Sequence, residues 1–276
     1  MKTMKKDVKN PFTVEKKVVI ITGGAGFLGK QYTEALGRAG ATVIIWDKYD
    51  SKTLKQVVKG LGQSGIRVVG EVVDITDEKA VRSATRKVMK QFKRIDALIN
   101  NAAMNPKVGG DEVKALFVPY EEYSIDLWEK ELRVNLTGMM ICTKAVAPIM
   151  IQQRAGSVIN IASEVANIAH DHRVYNDPRK FKSIAYTTSK TAVLGFTRQW
   201  AARLGRYNVR VNAFSPGGVQ GEKVPLDFAA RFGDMNMLGR MAQIGEYNGI
   251  IQFLISDASR FMTGSNLIVD GGKSAW

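Results

Sequence analysis

Short apolar runs recur along the chain, most closed by a glycine, an acid, an amide or a serine and followed by a stretch with helical spacing. Lys17-Val-Val-Ile-Ile21 and Thr42-Val-Ile-Ile-Trp46 are unbroken runs of strand length, the form taken by strands buried on both faces of a parallel sheet. Arg67 to Val73, Ile95 to Ile99, Ser157 to Ala162, Asn208 to Phe214 and Ser265 to Asp270 complete a set of seven. Between them the pattern predicts helices over 30–39, 52–61, 78–92, 126–153 and 245–256, and a further helix from Tyr186 onward whose Ala192, Val193, Phe196 and Trp200 form an apolar face. Strands alternating with helices predict an α/β fold: a single-domain Rossmann fold with a doubly wound, seven-stranded parallel sheet and helices on both faces. A basic tail over 1–15 precedes this domain at 16–276. Stretches without clear period at 104–124, 170–182 and 217–238 are expected to border a substrate crevice.

Composition narrows the class. The 276 residues carry 40 Lys and Arg against 26 Asp and Glu, a formal charge of +14. Six lysines fall within the first 17 residues and the others are scattered, which reads as a solvated basic surface rather than a nucleic-acid face; an anionic substrate is the sharper alternative. No apolar run is expected to span a bilayer, and the basic start leads into no signal-peptide core, so a cytoplasmic protein without membrane contact is expected. The single Cys142 sits in an apolar helical pattern and reads as a packing thiol.

Candidate chemistry begins after the first strand. Thr22-Gly-Gly-Ala-Gly-Phe-Leu-Gly29 joins strand to helix, as in a dinucleotide-binding unit: Gly23 for the tight turn, Gly26 for close approach to a pyrophosphate, Gly29 for helix packing, with Phe27 and Leu28 in the loop. Asp47 ends the second strand, 18 positions after Gly29. A carboxylate there accepts bonds from the ribose hydroxyls and repels a 2′-phosphate, which favours NAD, while Lys48 leaves NADP open. Asn100-Asn-Ala-Ala103 closes the fourth strand and Ser163 stands at the edge of the fifth, where sites of open α/β sheets lie. Tyr186 and Lys190, four apart, project from one helix face, and a cation beside a phenol favours the phenolate.

Taken in order, Thr22-Gly23 with the later glycines, Asp74, Asn100-Asn-Ala-Ala103, Asn135, Ser163, Tyr186 with Lys190, Pro216-Gly217, and Thr263-Gly264 with Val269-Asp-Gly-Gly272 resemble the short-chain dehydrogenase/reductase family over residues 16–272. The resemblance implies a catalytic tetrad. Tyr186 would exchange the substrate proton, Lys190 would lower its pKa and bond the nicotinamide ribose, Ser163 would hold the reacting oxygen, and Asn135 would anchor a relay water. It also implies that Asp74 with Ile75 meets the adenine, that Asn101 and Ala102 line the ribose, that Pro216, Gly217 and Val219 hold the carboxamide, and that the protein is a homodimer or homotetramer. Hydride travels through the cofactor; no resident metal is expected, two imidazoles in His170-Asp-His172 being too few ligands.

Three departures shape the expectation. The glycine spacing resembles the family's extended, sugar-nucleotide branch, but only 86 residues follow Lys190 and Val269-Asp-Gly-Gly272 is of the compact type, so the compact branch is expected. Twenty-two residues separate Ser163 from Tyr186, and Tyr175 with Arg179 competes for the catalytic place; Pro178 between them disfavours a helix there, which leaves Tyr186. The longer insertion carries His170, His172, Arg173, Arg179, Lys180 and Lys182, which suit a bulky polar or anionic substrate or else a solvated loop or subunit contact. The expected activity is interconversion of a secondary alcohol and a ketone on a sugar, polyol or sugar derivative. Ile159-Asn-Ile-Ala-Ser163 and Phe181-Lys-Ser-Ile-Ala-Tyr186 resemble members tied to bacterial surface-sugar modification. A 3-oxoacyl-thioester reductase is the enzymatic alternative, and a non-catalytic dinucleotide-binding module the alternative from another class.

Overall fold

The apolar runs become strands β1 (Val18–Thr22), β2 (Thr42–Asp47), β3 (Val68–Val72), β4 (Ala97–Asn100), β5 (Gly156–Ile161), β6 (Val209–Pro216) and β7 (Asn266–Val269) in a computed structural model that describes residues 10–105, 118–177 and 180–276. All seven pair in parallel in the order β3-β2-β1-β4-β5-β6-β7, the seven-stranded Rossmann sheet expected. Residues 1–9 of the tail, the interior of the first long loop at 106–117, and Pro178 and Arg179 lie outside the described residues.

Alternation along the strands builds two cores. Val18, Ile20, Ile44 and Trp46 face one cluster, and Val19, Ile21, Val43 and Ile45 the other. The first is covered by α3 (Glu78–Phe92) and α5 (Gly138–Gln153), with Ala201 and Leu204 of α6 (Ile184–Leu204). The second is covered by α1 (Phe27–Arg38), α2 (Ser51–Gln63) and α8 (Asn248–Ile255). Short polar side chains start these helices. Asp50 caps α2, Asp77 caps α3 and Ser183 caps α6, each accepting from backbone N–H groups of the first turn.

Three expectations change. The helix expected over 126–153 is α4 (Ile125–Leu132) and α5 joined by a π-turn at Arg133–Thr137, where the Gly138 N–H reaches back to Arg133 O. One residue is accommodated by widening, as at many functional sites. Together they form a helix long and apolar enough, by length and composition, to cross a membrane, contrary to the reading that no run approached that length. Here its apolar side is a core face: Cys142, Val146 and Met150 are fully buried against the sheet. The third expected crevice stretch holds a helix, α7 (Leu226–Asp234), with Phe228 and Phe232 buried against Val174 and Met241.

The chain runs outward from β1 to β3, then returns to the other side of β1 for β4. The C-terminal ends of β1 and β4 therefore flank the switch point, the crevice where such sheets bind ligands.

Candidate active site

The dinucleotide loop lies over this switch point. Gly23 adopts φ +63°, and a Cβ on Gly29 would stand 2.0 Å from Gly23 O, so the helix seats directly on the turn because neither position carries a side chain. Gly26 begins α1 without a side-chain cap and no acid occupies its first turn. Uncapped N–H groups at a helix start suit a phosphate. Phe27 is half exposed beside Gly221, while Leu28 is half-buried.

Asn101 and Ala102 turn out to brace this loop. Their N–H groups each donate to Thr22 Oγ1 at 3.0 Å, and Asn101 Nδ2 donates to Thr22 O and Gly23 O. Asp47 is buried, its Oδ2 accepting from Ala25 N (3.1 Å) and its Oδ1 from Tyr49 N. The carboxylate thus stands at the lip of the glycine loop, with lone pairs left over for a ribose. Asp74 is exposed and held below the usual carboxylate range, chiefly by the Thr76 hydroxyl, with Lys48 also lowering it. Ile75 is buried beside Gly138. Pro216 ends β6, Gly217 N donates to Val269 O, and Val219 bridges Ala242.

The residues of the expected tetrad come from three places. Asn135 is buried in the π-turn; its Nδ2 donates to Met104 O (3.2 Å) and Ser189 Oγ (3.1 Å), and its Oδ1 accepts from Met104 N (2.7 Å). It ties the end of the β4 loop to α6. Ser163 follows β5 in extended backbone. Tyr186 and Lys190 are buried on the first turns of α6, 8% and 3% exposed. Lys190 Nζ donates to Ile161 O at 2.7 Å and lies 5.6 Å from the Tyr186 ring centroid. Burial brings its ammonium down to about 8, with Lys182 adding in the same direction. Burial also pushes the Tyr186 phenol up to about 12, opposed by hydrogen bonding from Ser163 and reinforced by the charges of Glu164 and Glu131. In this form the phenol is a proton donor at neutral pH.

Tyr175 belongs elsewhere, in a 3-10 turn at His172–Tyr175 that ends where Asn176 turns left-handed (φ 51°). Its ring packs on His170 and Phe228. His170 and His172 stand 5.5 Å apart in an aromatic group with Tyr120 and Phe181.

Sequence reasoning missed several supports. Glu131 is fully buried, accepting from the Tyr123 hydroxyl and from Ser183 Oγ (2.8 Å), and Ser183 in turn accepts from Tyr186 N (3.1 Å). The entry into α6 is thereby fixed. Ser183, three residues before Tyr186, was a readable N-cap signal. Glu164 pairs with Lys273 at 2.9 Å, both buried. Asn100 Nδ2 donates to Thr143 Oγ1 and Asn160 Oδ1, and Asn160 Nδ2 to Thr197 Oγ1, a buried polar line from α5 through β4 and β5 to α6.

Residues 24–274 match the family described as Enoyl-(Acyl carrier protein) reductase. The chain is 34% identical to the 3-oxoacyl-[acyl-carrier-protein] reductase FabG of Thermotoga maritima, covering 94% of this chain and 98% of that one. It is 31% identical to the NAD-dependent glycerol dehydrogenase of Listeria innocua, covering 95% of each. Among solved structures it resembles a gluconate 5-dehydrogenase from Burkholderia cenocepacia in complex with NADP and tartrate, with TM-score 0.84 and 27% identity over 96% of this chain and 98% of that one.

Proposed function

The chain belongs to the short-chain dehydrogenase/reductase family, and from that premise we propose that it interconverts a secondary alcohol and a ketone on a sugar, polyol or sugar derivative with Tyr186 as the acid and base. It is an NAD(P)-dependent oxidoreductase acting on CH–OH groups. The observation that carries the assignment of roles is the convergence of Ser163, Tyr186 and Lys190 at the C-terminal end of β5. A polyol reading draws on the glycerol dehydrogenase and gluconate 5-dehydrogenase relatives; the FabG relative keeps the 3-oxoacyl reductase as the rival.

The loop fits a dinucleotide, because α1 seats directly on the glycine turn and its start has neither a side-chain cap nor an acid in its first turn. Gly23, Gly26, Phe27, Leu28 and Gly29 would hold its phosphates, Asp47 the adenosine ribose, and Lys190 the other ribose. When bound, the nicotinamide supplies the hydride carrier. Ser163 Oγ hydrogen-bonds the substrate oxygen, and Tyr186 gives that oxygen a proton in reduction or takes one in oxidation. Lys190, fixed by Ile161 O, keeps positive charge beside the phenol. Asn135 sits in a widened turn whose main-chain carbonyls suit a relay water.

NAD is the preferred cofactor on this reading, since the Asp47 carboxylate would oppose a 2′-phosphate. Initial rates on a panel of polyols, sugars and acyl thioesters with each cofactor test the assignment. NAD-dependent turnover of polyols is expected, and Asp47→Ala is expected to shift the NAD-to-NADP ratio of kcat/KM by roughly tenfold or more, one charge contact being worth about 1.5–3 kcal/mol. Strong NADPH preference with acyl thioesters in the unaltered protein would instead select the rival. We place the enzyme in the cytoplasm as a homodimer or homotetramer associating through its C-terminal region, where Phe261 is fully exposed and Ile268 half exposed on edge strand β7; light scattering that returned a monomer mass would remove that part.

A further inference from the structure

We infer that Lys182 recognises an anionic group on the substrate, a carboxylate close to the carbon that is oxidised or reduced, so that the enzyme takes a hydroxycarboxylate or sugar acid. The inference rests on the oxidoreductase reading above and names the substrate class for that same site.

The basic insertion resolves into cations with quite different surroundings. Arg173 is forked onto Asp171, with contacts of 2.9, 3.0 and 2.5 Å, and points into solvent. Lys180 pairs with Asp177 at 3.8 Å. Lys273, which approaches the same region from the C-terminal side, pairs with Glu164. Arg179 lies outside the described residues. Each of the three described cations already has its counter-charge, so none needs a substrate to supply one.

Lys182 differs. Its Nζ lies 4.3 Å from the centroid of the Tyr186 ring, nearer than that of Lys190 at 5.6 Å. Its hydrogen-bond acceptor is Asn105 Oδ1 at 2.7 Å, an uncharged group. Among the described residues it forms no ion pair. Burial pulls it down to about 8, with Glu131 and Glu164 acting against that from a distance; it is cationic at neutral pH. An ammonium taken partly out of water without a counter-charge costs free energy, and a purely structural contact gives no reason to retain it. A substrate carboxylate supplies the missing charge through charge-assisted bonds.

His170 adds a second, independent feature. Neither ring nitrogen has a hydrogen-bond partner, although both are shielded from water. Burial first, then the charges of Lys182 and Lys273, hold the imidazole neutral at about 3. A neutral imidazole presents one donor and one acceptor, which suits a hydroxyl on a carbon next to a carboxylate. His170 packs on His172, which in turn meets Phe181, the residue before Lys182, so the unpartnered imidazole lies behind the stretch that carries the ammonium over the Tyr186 ring.

The test compares gluconate with sorbitol, the same carbon chain with and without the carboxylate, in the unaltered enzyme, Lys182→Met and Lys182→Arg. The unaltered enzyme is expected to favour gluconate. Lys182→Met is expected to lower the gluconate-to-sorbitol ratio of kcat/KM by roughly 10- to 100-fold, mainly through KM, because a charge-assisted contact is lost. Lys182→Arg is expected to restore part of the ratio. A ratio unchanged in Lys182→Met, with both substrates losing kcat together, would mean that Lys182 acts on Tyr186 alone and would overturn the proposal, as would preference of the unaltered enzyme for sorbitol.

Calorimetric titration of tartrate into the NAD-loaded protein reads the same residue without turnover. Binding that weakens about 10-fold or more in Lys182→Met supports the proposal; equal binding to both, or to neither, overturns it. Failure of the oxidoreductase reading would be seen separately, as absence of NAD(P)-dependent turnover on every alcohol tried.

Discussion

Replacing Tyr186 by Phe is expected to lower kcat by about 10²–10⁴-fold in both directions, the range a positioned acid or base contributes. The ring keeps its place, since Tyr186 is anchored through its backbone by Ser183 and its face is lined by Lys182 and Lys190; only the hydroxyl and its contact with Ser163 are lost. Cofactor affinity is therefore expected to stay near that of the unaltered protein, measured by fluorescence titration with NADH. The pH profile supplies a second signature. Burial holds the phenol at about 12, so it carries its proton at pH 7, the form that reduction uses. Oxidation needs the phenolate, so the oxidation rate is expected to climb as pH rises toward about 12 while the reduction rate keeps its protonated phenol throughout that range, and the phenol's slope is expected to vanish in Tyr186→Phe. Unchanged kcat in the variant would remove the catalytic assignment and favour a dinucleotide-binding module.

What the sequence made legible was whatever is local. Each buried strand is an apolar run within one segment, and Gly23, Gly26 and Gly29 declare their turn because close backbone approach demands glycine at those positions. Tyr186 and Lys190 were readable as one helix face because four-residue spacing fixes it. The π-turn around Asn135 was not readable, because one extra residue in a turn leaves no mark on an apolar period. Neither was α7, which is held by Phe228 and Phe232 packing on Val174 and Met241, contacts made in the folded chain. The basic insertion is the clearest case. Its cations look alike in sequence, yet partner choice separates Arg173 and Lys180, already neutralised, from Lys182 beside the Tyr186 ring. Arg173 and Lys180 meet acids two and three positions away, whereas the bond of Lys182 to Asn105, 77 positions earlier, exists only in the folded chain.

Lys273→Met is expected to destabilise the protein by about 3–5 kcal/mol, because removing one member of a buried ion pair leaves the other charge uncompensated. The partner is Glu164, 109 positions earlier, with both side chains 5% exposed. Burial already raises the Glu164 carboxyl, and Lys273 is the main force acting the other way. The ammonium also lies 3.8 Å from the centre of the Phe232 ring, so Met keeps the apolar contact with that ring while the charge is lost. At roughly 2–4 °C per kcal/mol for large domains, thermal unfolding is expected to move down by about 6–20 °C. The double variant Glu164→Gln with Lys273→Met is expected to recover much of the loss, since replacing both charges removes the desolvation cost along with the attraction. Equal destabilisation in the single and double variants would mean that packing, not the unpaired charge, holds this corner. Activity reads the same contact from another side. Glu164 directly follows Ser163, and its pairing with Lys273 anchors the stretch after β5 to the segment after β7. Loss of the pair frees the backbone next to Ser163, so on the role proposed for that hydroxyl kcat is expected to fall in Lys273→Met below the unfolding transition and to return in step with stability in the double variant.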